Sequence, residues 1–207
     1  MNRETRLKNR YAAEQRFRMY GIISILTALF FVALLLFKVF SGGATAFVKT
    51  TIAVEVDYSK KLLGFETSQT PSIDDLKQAD FYDVTYQAAT GFYKFSNDAE
   101  EKSIRTMLSG NYEQEIKNYL LENPDVLGKK EVLYLTTSDD LDQLHKGNFP
   151  RDIPEDRRRI NNFQLEVYDA LVAQGRIKAQ YNNYFLTKGD SRDAEVAGVA
   201  GSIIGSF

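Results

Sequence analysis

Residues 20–40, YGIISILTALFFVALLLFKVF, are apolar for 21 positions except at Ser24, Thr27 and Lys38. Rising ~1.5 Å per residue as a helix, this run covers about 31 Å, the depth of a hydrocarbon core of ~30 Å. A water-soluble fold has no use for an exposed helix that is apolar on every side. The run therefore sets the architecture: one membrane span, with the chain before it and the chain after it on opposite sides. Lys38 lies within a turn of the far end and can carry its ammonium to the interface. Tyr11 and Tyr20 sit where interfacial aromatics are expected. Tyr20, Gly21, Leu34 and Phe40 mark the span.

Charge sets the orientation. Residues 1–19 hold six Lys/Arg against two Asp/Glu, whereas residues 42–193 hold 19 against 25. A basic segment before a span keeps the N-terminus on the cytoplasmic side. The acidic balance beyond it leaves no domain-sized basic surface for nucleic acid. A cleaved signal peptide is the alternative, and Ala44-Thr45-Ala46 fits an A-x-A cleavage pattern. A signal peptide's apolar region is only ~7–15 residues, however, shorter than this run. The divisions expected are a cytoplasmic basic N-terminus (1–19), a transmembrane helix (20–40), an extracytoplasmic α+β domain (41–193) and the start of a second span (194–207).

That last segment carries no charge after Glu195. Gly198 with Ser202 and Gly201 with Gly205 repeat small residues at a spacing that lets membrane helices approach closely. About 20 apolar residues cross a bilayer, and this run supplies about a dozen. It reads as the truncated opening of a second transmembrane helix, which makes the chain a membrane protein fragment.

Between the spans, about 150 residues suffice for an independent core. Thr45 to Tyr58 is β-rich, and Lys61 to Thr70 is loop-like. Ser72 caps a helix with Asp75 three residues on. Helices follow over 80–93, near 99–108 and over 111–122, where Asn123-Pro124 ends the last. Glu131 to Thr136 is expected as a central strand. Ser138 is expected to cap a short helix with acids in its first turn and His145 and Lys146 at its end. A long helix is predicted from Pro154 to Gln174, with Ile160, Phe163, Val167 and Leu171 buried and Gly175 as its stop. Arg176 to Thr187 reads as a strand or hairpin returning to the membrane.

Chemistry is sparse. The chain has no cysteine and one histidine, His145, which has no carboxylate at metal-binding helical spacing. No nucleophile elbow, zinc-protease motif or phosphate loop occurs. Asp139, Asp140 and Asp142 lack the glycine and distal glutamate of a calcium loop and read as a helix start. No cofactor and no enzymatic activity are expected. Arg157, Arg158 and Arg159 are the one basic run in the outer domain; guanidinium forks suit an anion, and the competing reading is a solvated helix face.

Arg10-Tyr-Ala-Ala-Glu-Gln-Arg-Phe-Arg-Met-Tyr-Gly21, running straight into a span, resembles the start of PstA-type phosphate ABC-transporter permeases that carry an extra periplasmic domain after the first helix. Ser138 to Asp142 with Lys146-Gly147, Gly175 to Ile177, and above all Phe185-Leu-Thr-Lys-Gly-Asp-Ser-Arg192 are similar to stretches of that domain. The resemblance implies the N-terminal portion of a permease subunit in a bacterial inner-membrane, ATP-driven phosphate importer. Its implied partners are a second permease subunit, a cytoplasmic ATPase dimer, which hydrolyses the ATP, and a periplasmic phosphate-binding protein. Phosphate would be the transported solute and the bilayer the surroundings. The competing expectation is a single-pass anchored periplasmic sensor or interaction protein without transport activity.

Overall fold

The computed structural model describes residues 3–66, 70–191 and 197–206, the first eight of these as backbone only. The expected loop over Lys61–Thr70 and the second-span segment therefore lie partly outside the described residues. Two compact units result, residues 1–45 and residues 46–207.

The first unit is the helix α1, Arg3–Gly43. No proline interrupts residues 1–70, and Gly42-Gly43 ends the helix. At ~1.5 Å per residue its 41 residues reach about 62 Å, twice a hydrocarbon core. The basic segment is thus helical as well, continuous with the apolar run. The stretch Tyr11–Phe47 has a mean hydropathy of 2.6 in its most apolar window, none of it buried, and is long and apolar enough to cross a membrane. Ser24 and Thr27 donate to the carbonyls of Tyr20 and Ile23, each at 2.8 Å. Their hydroxyls are satisfied on their own helix, as lipid requires.

The second unit is a small α+β domain on a three-stranded sheet. Strands β1 (Val48–Asp57), β2 (Lys130–Thr136) and β3 (Ile177–Tyr181) lie in the order β2-β1-β3, both pairs antiparallel. β2 was expected at the centre and is an edge. Its burial alternates, with Val132 and Tyr134 exposed between buried Leu133 and Leu135. Five consecutive residues of β1, Thr50 to Val54, are buried instead, because partners flank that strand on both sides. Register places Ile52 opposite both Leu135 and Ile177.

Helices α2 (Ile73–Gln78), α3 (Tyr82–Gly91), α4 (Asp98–Arg105) and α5 (Tyr112–Glu122) link β1 to β2; α6 (Asp139–His145) and α7 (Asn162–Ala173) link β2 to β3. α2 has the predicted capping box between Ser72 and Asp75. The Ser72 backbone N–H, then its hydroxyl, holds the Asp75 carboxyl below its ordinary range. Ala88 and Ala89 are buried where α3 packs on β1, small enough to bring helix and sheet close. Ile116 and Leu120 bring α5 onto the core. The Tyr58 hydroxyl donates to the Ile116 carbonyl at 2.8 Å, and burial pushes that phenol far up.

Two local expectations are corrected. The long helix begins at Asn162, not Pro154: Pro154 precedes a single 3-10 turn, Glu155–Arg157, and the chain then runs non-helical to Asn161. Asn161 and Gln164 form a capping box, and their amides also reach Ser103 and Thr106 on the α4 side. That tertiary anchorage outweighs the helical pattern of the preceding residues. Ser138 precedes α6 with extended backbone, but its side chain makes no capping bond. The strand expected after Arg176 is β3, which ends at Tyr181, and a single turn, α8 (Tyr184–Thr187), follows. The stops at Gly147 and Gly175 stand, with φ of +74° and +67°, a region where other residues are strained.

Candidate functional site

The end of the sheet where β1 begins, β2 ends and β3 ends gathers an unusual density of buried polar groups: Thr50, Thr51, Thr136, Thr137, Asp142 and Asn182 are all buried. Two ion pairs hold it. Lys49 Nζ lies 3.5 Å from Glu115 Oε1, and Lys146 Nζ lies 2.6 Å from Asp142 Oδ2; in each pair the lysine side chain is 14% exposed and the carboxylate 9%.

Every oxygen of these carboxylates is engaged. Glu115 accepts from the Thr136 backbone N–H at 2.9 Å and from the Thr136 hydroxyl, which in turn accepts from Lys49 at 2.8 Å. Asp142 accepts from Thr50 N–H at 2.9 Å and Thr50 Oγ1 at 2.7 Å. Paired and hydrogen-bonded in this way, a buried charge is tolerated; stripped of its partner it is strongly destabilising. The Tyr184 hydroxyl donates to Glu115 at 3.3 Å, and Lys49 Nζ sits 4.2 Å from the centre of the Tyr184 ring. Burial first, and the Glu115 charge second, push the Tyr184 phenol up to about 12. A groove of about 430 Å³ opens beside this network, lined by Lys49, Glu115, Asn118, Tyr134, Tyr184 and Lys188.

At the same end the chain enters and leaves the domain. Asn182 N–H donates to the Phe47 carbonyl at 2.8 Å and Asn182 Nδ2 to the Ala46 carbonyl at 3.2 Å. Val48 pairs with Tyr181, and the Phe47 and Phe185 rings meet edge to face with centroids 4.8 Å apart. Beyond α8, Gly198, Val199 and Ala200 donate their N–H groups to the carbonyls of Gly189, Phe185 and Lys188 at 2.8, 2.8 and 3.1 Å. A Cβ at Gly198 would fall onto the carbonyl oxygens of Tyr184 and Lys188, so only glycine permits this approach. The short helix α9, Ala200–Gly205, follows.

The residues singled out from sequence are spread elsewhere. Arg157 closes the 3-10 turn, Arg158 donates to Asn162, and Arg159 lies 3.3 Å from Asp140 and 4.0 Å from Asp139. Arg158 and Arg159 thus engage different partners, and Arg159 already has carboxylates beside it. Tyr20, Gly21, Leu34 and Phe40 lie on α1 with nothing packed over them. Gly201 comes within 3.8 Å of Gly189 for an added Cβ, Gly205 faces open space, and the Ser202 carbonyl accepts from the Ser206 hydroxyl at 2.7 Å. His145 Nδ1 lies 2.9 Å from the Tyr168 hydroxyl. Among the described residues no group of three or more His, Asp or Glu could hold a metal ion.

Sequence reasoning missed Lys49, Glu115, Asn182 and Tyr184, and read Asp142 only as part of a helix start. One signal was available: Thr50-Thr51 and Thr136-Thr137 put paired hydroxyls at corresponding ends of two strands, where a buried network has donors to use. The arrangement fastens segments distant in sequence to one another and leaves neither carboxylate spare for acid–base work.

A protein family described as Domain of unknown function (DUF3333) matches residues 4–155. The matched region stops short of α7 and β3, which complete the core and the sheet. No curated protein and no solved structure matches the chain.

Proposed function

The chain belongs to the DUF3333 family, and on that premise we propose that it is the N-terminal portion of a permease subunit of a bacterial, ATP-driven phosphate importer, its outer domain working by protein contact. One observation carries the placement of that domain between two spans: the chain enters at Ala46-Phe47 and leaves at Asn182 through the same end of the sheet, the two strands hydrogen-bonded together. A domain inserted between neighbouring membrane helices needs its two connections side by side. The apolar residues after it, with Ile203 and Ile204 half to three-quarters exposed, serve as the leading turns of the second span. Resemblance of residues 10–21 and 185–192 to PstA-type permeases supplies the solute and the partners: a second permease subunit, a cytoplasmic ATPase dimer and a periplasmic phosphate-binding protein.

The second reading is a single-pass anchored periplasmic sensor or interaction protein. It is favoured by α1 being, among the described residues, the one helix long and apolar enough to cross a membrane.

Two experiments separate these readings. The chain has no cysteine, so single cysteines report topology cleanly. A membrane-impermeant maleimide on intact spheroplasts is expected to label Lys129→Cys and spare Asn2→Cys; the reverse pattern would overturn the orientation. Ser206→Cys is expected to be shielded in the native protein, whereas labelling as rapid as that of Lys129→Cys means a single pass. Uptake of radiolabelled phosphate at micromolar concentration should fall when the native gene is deleted and return when it is restored. Unchanged uptake would remove the transport assignment.

A further inference from the structure

We propose that the entry-and-exit end of the outer domain rests on the lipid surface, its exposed rim lying among the headgroups of the outer leaflet. The inference goes beyond the transport reading and rests on α1 and the apolar segment at α9 both entering the membrane.

The rim is built from Phe47, Val48, Tyr181 and Leu186, all exposed, Tyr181 at 60% and Leu186 at 46%. Aromatic and aliphatic side chains are concentrated there, left in solvent rather than folded into the core. Tyr181 ends β3 and Leu186 belongs to α8, so the backbone that presents them is fixed by the Asn182 bonds and the Phe47–Phe185 contact. Lys188 flanks them, 5.5 Å from the Tyr184 ring centre. Aromatics mixed with lysine are the composition of a membrane–water interface, where rings sit at headgroup level and ammonium groups meet lipid phosphates.

Tethering selects this occupant over others. Only Ser41 to Ala46 separate the apolar run that ends at Phe40 from Phe47. Six extended residues reach about 20 Å at most, less than the depth of the headgroup layers and the domain together. On the other side, α8 leads within about ten residues into the apolar segment of α9. A rim tied close to the bilayer at both connections meets lipid before it meets anything else.

The chain has no tryptophan, which makes single tryptophans unambiguous depth probes in the full chain. Tyr181→Trp, Leu186→Trp and the control Val132→Trp would each be reconstituted in phosphatidylethanolamine–phosphatidylglycerol vesicles, with and without lipid brominated high on the acyl chain. Val132 is 60% exposed and pairs with Glu55, about 23 Å along the sheet from Val48. Interfacial insertion of ~5–10 Å predicts roughly a twofold loss of emission for Tyr181→Trp and Leu186→Trp, and none for Val132→Trp. A nitroxide on Leu186→Cys gives a second readout and should be more accessible to oxygen than to a water-soluble nickel chelate. Leu186→Trp left as unquenched as Val132→Trp would overturn the proposal and reserve the rim for a protein partner. Equal quenching of all three would overturn it too, since the whole domain would then lie on the membrane.

Discussion

Leu29 of α1 and Leu120 of α5 are the same residue in the same secondary structure, yet Leu29 is 59% exposed and Leu120 fully buried. In α5 the buried positions Tyr112, Ile116 and Leu120 recur every fourth residue, with Tyr119 and Leu121 partly buried beside them and the rest of the helix polar. In α1 no such stripe exists; leucine, isoleucine and phenylalanine point in every direction. Polar groups differ in the same way. Ser24 and Thr27 bond to carbonyls four residues back on their own helix, whereas Glu115, Lys49 and Asp142 find partners on other elements. One region satisfies itself locally and leaves its apolar surface uncovered; the other buries its apolar surface and spends long-range contacts on its charges. A single chain thus folds by two rules, divided near residue 45.

The largest effect should separate the two regions outright. Leu120→Ala leaves a cavity in the domain core and is expected to cost about 2–5 kcal/mol, read as a lower urea midpoint for the domain signal. Leu29→Ala should leave that midpoint where it was, because no protein neighbour is lost. Equal destabilisation by both substitutions would mean that α1 packs into the domain after all.

Next in size is the reverse test, a charge where lipid is the expected surroundings. Leu29→Arg lies at the middle of the apolar run and should raise the insertion cost by about 2.5–3.5 kcal/mol. Carbonate extraction of membranes should release more of this variant than of the native chain, while the domain's urea midpoint stays unchanged. Membrane association unaffected by this arginine, and by Phe30→Arg beside it, would break the comparison.

Charges within the domain come third. Glu115→Ala strands Lys49 in a site where the lysine is 14% exposed and leaves Thr136 N–H unpaired, a loss of about 1–3 kcal/mol. Glu115→Gln keeps an acceptor for Thr136 and should recover part of it. In contrast, Thr27→Val in α1 removes a hydroxyl that serves only its own helix and should be close to neutral. Protease sensitivity near Tyr184 adds a local readout, since loss of Glu115 also frees the Tyr184 hydroxyl.

These sites differ in how far they could be read from the amino-acid order. The α1 span, the Ser72–Asp75 box, α3 to α5 and the stops at Gly147 and Gly175 depend on residues within one or two turns of each other, so spacing reveals them. The edge position of β2 depends on which strands lie beside β1, and β3 is 120 residues later in the chain. The start of α7 at Asn162 depends on Ser103, 58 residues away from Asn161. The charged network joins Lys49 to Thr136 across 87 residues and Thr50 to Asp142 across 92. A lysine that ends in a buried pair looks, in sequence, like any surface lysine at the start of a strand. In the run Arg157 to Arg159, adjacency in sequence does not show what the side chains meet: Arg158 donates to Asn162, and Arg159 lies against Asp139 and Asp140.

The smallest effect concerns Tyr184, which ties the exit segment to the sheet. Its phenol is raised to about 12 from an ordinary value of 10.0, by burial and then by the Glu115 carboxylate. The folded state therefore holds the proton more tightly than the unfolded state does. The stabilisation this provides is complete below about pH 10 and is lost as pH climbs through 10 to 12. Tyr184 is only half-buried, so solvent screening keeps the contribution modest. Absorbance near 295 nm should show Tyr184 titrating late in the native protein, before the more deeply buried Tyr58, and the Tyr184 step should vanish in Tyr184→Phe. With Glu115→Gln the step should shift back toward pH 10 by a fraction of its displacement, because burial, the larger cause, stays in place. A shift all the way to 10 would make Glu115 the dominant cause and mark α8 as held chiefly by charge. No shift would mean that burial alone sets it, and the exit segment would then follow the rule of α5, where packing decides.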